Sequence, residues 1–185
     1  MATRAKEQKD TQANARGDTK PRTVAMIKTH HDLPEETRMQ MVQLLNDQLA
    51  GTFDLFSQTK QAHWNVKGPQ FIQLHELYDE LAEKLLGHVD MIAERATTLG
   101  GAATGTVRMA AQASKLPDFN PGFVGSMESV TLLVARYAML AQAVREAIDE
   151  AEQAEDQDTT DLLTEVSRDL DKSLWFLEAH IQQQS

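Results

Sequence analysis

Apolar residues recur every three to four positions along most of this chain, which is the spacing of one face of an α-helix. The pattern predicts four long helices, over about 34–65, 69–99, 120–153 and 158–181. In chain order, their apolar stripes consist of Val42, Leu45, Leu49, Phe53 and Phe56; Leu74, Leu77, Leu81, Leu85, Val89 and Ile92; Val130, Val134, Tyr137, Ala141, Val144 and Ile148; and Leu162, Leu163, Val166, Leu170, Leu174, Leu177 and Ile181.

Residues that favour helix ends support these boundaries. Pro34 precedes two acids at the start of the first helix, where the helix dipole favours negative charge. Pro69 follows a glycine and is predicted to be the first residue of the second helix. The Asn120–Pro121 pair predicts the start of the third helix, and Asp158 is predicted to cap the fourth.

A long connection separates the second and third helices. Residues 100–121 carry little helical pattern except for a possible short helix around 108–115. Four helices with a long crossover between the second and the third are typical of a ferritin-like four-helix bundle. The predicted fold class is therefore all-α.

Composition excludes several kinds of chemistry. The chain has no cysteine, which excludes disulfides, zinc–thiolate sites, iron–sulfur clusters and thiol catalysis. No apolar run approaches the roughly 20 residues that a membrane span needs, and the start of the chain lacks the apolar stretch of a secretory signal. We therefore expect a cytoplasmic protein without a membrane partner.

Charge divides the chain into two predicted parts. The net charge is −10, but residues 1–28 hold seven Lys or Arg and three acids, so that segment carries +4 and the remainder −14. Residues 1–28 have little to bury and are predicted to be a disordered basic tail, with the bundle over 29–185. The tail either binds a polyanion or only aids solubility; its candidate DNA-binding residues are Lys6, Lys9, Arg16, Lys20 and Arg22.

Five potential metal ligands lie in and just before the second predicted helix. His75 and Asp79 are four residues apart and share one helix face, as do Asp90 and Glu94. His63 lies near the end of the first helix. Histidine and carboxylate ligands without sulfur suit iron, manganese or zinc.

Helix geometry restricts how these ligands can combine. His75 and Asp90 are 15 residues apart, which is about 22 Å along a straight helix. Either the two pairs are separate sites, or the second helix packs antiparallel against its own copy about a two-fold axis near residues 82–83. No histidine has a glutamate three residues before it, so a di-iron centre of the Glu-x-x-His type inside one bundle is not expected.

Several motifs carry a resemblance to a known family. The ligands lie in a pattern His-x11-His-x3-Asp-x10-Asp-x3-Glu, and the chain resembles the Dps family, the DNA-binding proteins from starved cells, over roughly 35–180. The motifs are KQAHWNV over 60–66 with Gly68, Phe71, Leu74-His75 and Asp79; DMIAER over 90–95 with Leu99-Gly100-Gly101; and SRDLDK over 167–172 with LWF over 174–176.

The resemblance implies a hollow homo-dodecamer that oxidises Fe(II), with hydrogen peroxide preferred to oxygen, and stores Fe(III) as a mineral. His63, His75 and Asp79 of one subunit, with Asp90 and Glu94 of its two-fold partner, would form a two-iron ferroxidase centre. The family protects bacterial DNA from oxidative damage, and members that bind DNA commonly do so through basic tails. That implies non-specific DNA binding and association with the nucleoid.

The resemblance leaves some roles open. Trp64 matches a tryptophan near the family's site, where it is either an electron donor or an interface packing residue. An architectural DNA-binding protein without ferroxidase activity is one alternative, and a cage that uses zinc or manganese at the same ligands is another. The role of His30 and His31 is not assigned.

Overall fold

Four long helices and one short helix make up most of the computed structural model, which describes residues 25–119 and 122–182. This confirms the predicted all-α, ferritin-like class with a short helix in the crossover. The elements in chain order are α1 (Glu35–Asn65), β1 (Val66–Lys67), α2 (Phe71–Thr98), α3 (Val107–Ala113), β2 (Val124–Gly125), α4 (Ser126–Gln153) and α5 (Gln157–Glu178).

The four long helices pack as two hairpins around one core. Helix α1 lies along α2, and α4 lies along α5, while α1–α4 and α2–α5 contacts join the two hairpins. Each helix contributes its predicted apolar stripe: Leu45, Leu81, Val144 and Leu163 are all at most 1% exposed. Burial of such side chains is the main favourable term in the stability of the bundle. Within the described residues, no helix is both long and apolar enough to span a membrane.

A two-stranded parallel pairing ties the end of α1 to the start of α4. Val66 pairs with Val124 and Lys67 with Gly125, and both valines are buried. The Ser126 hydroxyl donates to the Lys67 carbonyl oxygen at 2.9 Å. The helical pattern did not predict these strands, because two residues are too few to show a period.

The start of α2 differs from the prediction. The helix begins at Phe71 and not at Pro69. Gly68 has a φ of +123°, which reverses the chain, and the Phe71 N–H donates to the Gly68 carbonyl at 3.1 Å. Pro69 therefore lies in the turn before the helix. The turn brings the beginning of α2 back beside the end of α1.

The last two helices also have corrected boundaries. Helix α4 begins at Ser126, later than expected; Asn120 and Pro121 lie outside the described residues. Asp156, and not Asp158, caps α5, because its carboxylate accepts the Thr159 N–H at 3.1 Å. Helix α5 ends at Glu178, so the predicted stripe runs slightly past it.

The described part of the chain starts inside the predicted tail. The Ile27 N–H donates to the Gly100 carbonyl at 2.8 Å. Arg38 is buried and its guanidinium donates to the carbonyls of Leu33 and Leu99. Gly100 has a φ of +89°, and an added Cβ there would lie 3.0 Å from the Ile27 oxygen. The chain is thus held against the end of α2 from Ile27 onward, while residues 1–24 lie outside the described residues.

Candidate metal centre

Two histidines lie face to face where α1 and α2 meet. His63 is in the last turn of α1 and is buried, and His75 is in the second turn of α2. Their ring centroids are 3.7 Å apart, with 19° between the ring planes. The turn through Gly68 brings them together, although 12 residues separate them in sequence.

The backbone fixes which nitrogen of each ring is available. His63 Nδ1 lies 2.8 Å from the His75 carbonyl oxygen, and His75 Nδ1 lies 2.9 Å from the His63 carbonyl oxygen. A carbonyl oxygen only accepts, so each Nδ1 must carry the proton and donate it. In the neutral rings, both Nε2 atoms are then left with a lone pair, which is the state that binds a metal ion.

Asp79 lies one turn beyond His75 on α2, and its carboxylate already has a cationic partner. Lys60 Nζ, from α1, lies 2.5 Å from Asp79 Oδ1. This hydrogen bond is the largest influence holding the pKa of Asp79 below its ordinary value; the charges of Lys60, His63 and His75 add to the effect, and desolvation opposes it. The Asp79 carboxylate is therefore anionic over the whole neutral range.

Asp90 and Glu94 lie far from this group within one subunit. Both are exposed, and within the described residues neither has an ion-pair partner. Helix α2 is unbroken, so Asp90 lies about 22 Å along it from His75. Residues 25–119 and 122–182 contain no group of three or more His, Asp or Glu side chains placed to hold a metal ion. One subunit therefore presents the five predicted ligands as two incomplete sets.

An exposed leucine lies between the two sets. On an α-helix the positions of His75, Asp79, Leu86 and Asp90 fall on one face. Leu86 is 48% exposed. A contact between the α2 helices of two subunits would bury this apolar side chain.

Trp64 follows His63 and is exposed. Its ring is 61% exposed, and Lys60 Nζ lies 5.9 Å from the ring centroid. Its two predicted roles, electron donor and interface packing, both need a second subunit or bound iron. They stay predictions.

Two motif residues around the histidines, Lys60 and Phe71, were given no role by the sequence analysis. Lys60 contacts Asp79 as described, and the Phe71 ring lies 5.1 Å from the His75 ring. The signal for Lys60 was its position one turn before His63 on the same helix. Neither residue belongs to a ligand type, so a search for ligands passed over them.

The remaining predicted residues do not join this group. His31 Nδ1 accepts the Leu33 N–H at 3.2 Å, so its lone pair is used locally. The five basic residues predicted to bind DNA lie outside the described residues: Lys6, Lys9, Arg16, Lys20 and Arg22.

Comparisons with known proteins match most of the chain. The Ferritin-like domain family model matches residues 42–185. A "DNA protection during starvation protein" of Agrobacterium fabrum is 45% identical over 158 residues, which are 85% of this chain and 98% of that protein. Among solved structures, Mycobacterium smegmatis Dps has a TM-score of 0.82 at 30% identity, covering 86% of this chain and 96% of that one. DpsC from Streptomyces coelicolor has a TM-score of 0.83 at 30% identity, covering 86% and 94%.

Proposed function

The chain belongs to the Dps family of ferritin-like proteins, and on that premise we propose that it is an iron-oxidising, iron-storing cage that protects DNA. Twelve subunits would enclose a cavity in which ferric iron is deposited. Hydrogen peroxide would be the preferred oxidant. The name of the Agrobacterium fabrum relative states DNA protection, and removal of iron and peroxide together gives that protection a chemical basis.

The paired histidines are the observation that carries the proposal. They would form half of a ligand set where the end of α1 meets the start of α2, and the two carboxylates Asp90 and Glu94 lie toward the other end of α2. An antiparallel copy of α2 about an axis near residues 82–83 would place His75 opposite Asp90 of the partner subunit. Two equivalent complete sites would result, with Leu86 between them.

The chemistry follows from the ligand types. Two Fe(II) ions each give one electron to hydrogen peroxide; its O–O bond breaks, and with two protons it becomes two water molecules. The carboxylates of Asp79, Asp90 and Glu94 favour the more highly charged Fe(III) product, and the neutral imidazoles retain affinity for Fe(II). Fe(II) and hydrogen peroxide, which together generate hydroxyl radicals, are thus consumed in one step. Trp64, exposed beside His63, would donate an electron to any stray oxidising equivalent.

Anaerobic loading with Fe(II), followed by one addition of hydrogen peroxide, tests this function. We expect rapid ferric absorbance at about two irons per peroxide, and its loss in Asp90→Ala/Glu94→Ala. Asp161→Ala/Glu165→Ala is the matched control, because it removes the same residue types at the same spacing from exposed positions on α5. It should retain the wild-type rate. Oxidation no faster than in buffer would favour an architectural protein, and strong competition by zinc or manganese with no iron oxidation would favour a different ion.

DNA binding is the second part of the proposal, and it rests on the charge of residues 1–28. Each tail carries +4, and twelve copies would multiply weak phosphate contacts, although the acidic body opposes them. The tail has no aromatic residue, so binding should be non-specific and sensitive to salt. Such binding would place the cage on the nucleoid in the bacterial cytoplasm.

A gel-shift titration at two salt concentrations tests DNA binding. Glutamine at the five basic positions, Lys6, Lys9, Arg16, Lys20 and Arg22, should abolish the shift and leave iron oxidation intact. A shift that survives this change would assign DNA binding to the body of the cage.

A further inference from the structure

Lys60 holds the one carboxylate that belongs to the histidine half of the proposed site. Its side chain crosses from α1 to α2 and lies 2.5 Å from Asp79 Oδ1. The Lys60 side chain is 22% exposed and that of Asp79 is 61% exposed. The pair is therefore partly covered on the lysine side and open to solvent on the carboxylate side.

A metal ion and this ammonium group compete for the negative charge of one carboxylate. Lys60 Nζ contacts Oδ1, so a cation bound by Asp79 either replaces that hydrogen bond or binds Oδ2 beside it, and in both cases it meets the positive charge of Nζ at short range. Binding of a metal ion at this carboxylate therefore weakens the ion pair with Lys60. The free energy of breaking the ion pair is subtracted from the affinity of the site.

The displaced ammonium group of Lys60 has a second partner nearby. A cavity of about 290 Å³ adjoins Lys60 and is also lined by Trp64, Phe53, Phe56 and Val107. Lys60 Nζ already lies 5.9 Å from the centroid of the Trp64 ring. An aromatic face within about 6 Å attracts an ammonium group, so the Trp64 ring is an alternative partner for Lys60 when the ion pair with Asp79 is weakened.

We propose that Lys60 is a positioning residue that competes with iron for Asp79. In the empty site Lys60 orients the Asp79 carboxylate, and during loading it moves toward Trp64. It returns to Asp79 when oxidised iron leaves for the interior of the cage. Lys60 thereby lowers the resting affinity of the site and favours release of the product. This inference rests on the proposed function, because it assigns Asp79 to the iron site.

Isothermal titration of the assembled protein with Zn²⁺ tests the competition without any redox reaction. Zn²⁺ accepts the same histidine and carboxylate ligands and is not oxidised. Lys60→Met keeps the length of the side chain and removes its charge, and we expect Zn²⁺ to bind about fivefold more tightly than to the wild type. Lys60→Gln should give the same increase, which guards against a defect specific to one variant.

Two controls separate charge competition from other effects. Lys67→Met removes a charge from β1, where Lys67 Nζ lies 5.5 Å from the Phe71 ring centroid and forms no ion pair within the described residues. It should leave the Zn²⁺ affinity unchanged. Lys60→Arg retains the charge and should stay near the wild type.

The outcomes distinguish this inference from the proposed function. Zn²⁺ binding that is equal or weaker in both Lys60→Met and Lys60→Gln would overturn the role of Lys60. Loss of Zn²⁺ binding in Asp90→Ala/Glu94→Ala would at the same time support the shared site. Tighter binding in the Lys60 variants together with unchanged binding in Asp90→Ala/Glu94→Ala would support the competition and contradict the shared site.

Discussion

Among the acids that join α2 to α5, Asp156 is predicted to cause the largest loss of folding stability when it is replaced by alanine. Its carboxylate is 2% exposed. It accepts from Arg95 Nη2 at 2.6 Å, from the Thr159 N–H at 3.1 Å and from the Thr159 hydroxyl at 2.6 Å. Asp158 lies 3.5 Å from the same guanidinium but is 81% exposed. The two acids therefore form a matched pair, one buried and one in solvent.

The magnitudes differ because of burial. Asp156→Ala removes a helix cap worth about 1 kcal/mol and leaves the Arg95 guanidinium without its buried partner, a loss of about 3 kcal/mol at the lower end of the usual range. The lower end applies because Asp158 remains nearby. Asp158→Ala removes an exposed pair worth less than about 1 kcal/mol.

Scanning calorimetry of the assembled protein, at one fixed subunit concentration, measures the difference. For a chain of this size we expect the transition midpoint to fall by roughly 8–16 °C in Asp156→Ala and by less than about 4 °C in Asp158→Ala. Equal shifts in the two variants would refute the assignment of the cap and of the buried ion pair to Asp156.

Three further predictions concern the core and the α2 surface. Burial raises the pKa of Tyr78 to about 12 and that of Tyr137 well above its usual range, so the stability they contribute is complete below about pH 10 and is lost as pH rises through about 12. Absorbance of tyrosinate near 295 nm should therefore stay below about one tenth of its full value at pH 11, and a larger signal from folded protein at that pH would contradict their burial. Gly101→Ala places a Cβ in steric conflict with the Val42 side chain and should lower the free energy of unfolding by about 1–3 kcal/mol, measured as a lower calorimetric midpoint; an unchanged midpoint would contradict this close contact. Leu86→Glu adds a charge inside the proposed two-fold contact, between the two sites, and should shift the sedimentation profile toward smaller species, with Leu86→Met as a control; an unchanged profile would place the subunit contact elsewhere.

The helices were predictable because their signal is local. The 3.6-residue period needs only the chain's own apolar positions, and the buried residues of α2 repeat the predicted stripe at Leu74, Leu81, Leu85 and Ile92. The cap of α5 was not predictable in the same way. Asp156 and Asp158 are both plausible caps in sequence, and the burial of Asp156 against Arg95 joins residues that are 61 positions apart.

In the candidate site, too, local features were predictable and contacts between helices were not. Ligand types and helical spacing placed His75 with Asp79 and Asp90 with Glu94, and they gave the separation that suggests two subunits. The stacking of His63 on His75 depends on the turn through Gly68. The sequence predicted a break there but placed the start of α2 two residues too early, at Pro69. The contact between Lys60 and Asp79 joins two helices, so no pattern along one helix reports it.

Co-assembly of two inactive variants tests the shared site most directly. His75→Ala/Asp79→Ala lacks one half of the ligands, and Asp90→Ala/Glu94→Ala lacks the other. Each variant alone should fail to oxidise Fe(II) with peroxide. In cages assembled at random from equal amounts, half of the subunits supply an intact histidine half and the other half an intact carboxylate half, so the account predicts about one quarter of the wild-type rate. No recovery in the mixed cages would contradict a site shared between subunits.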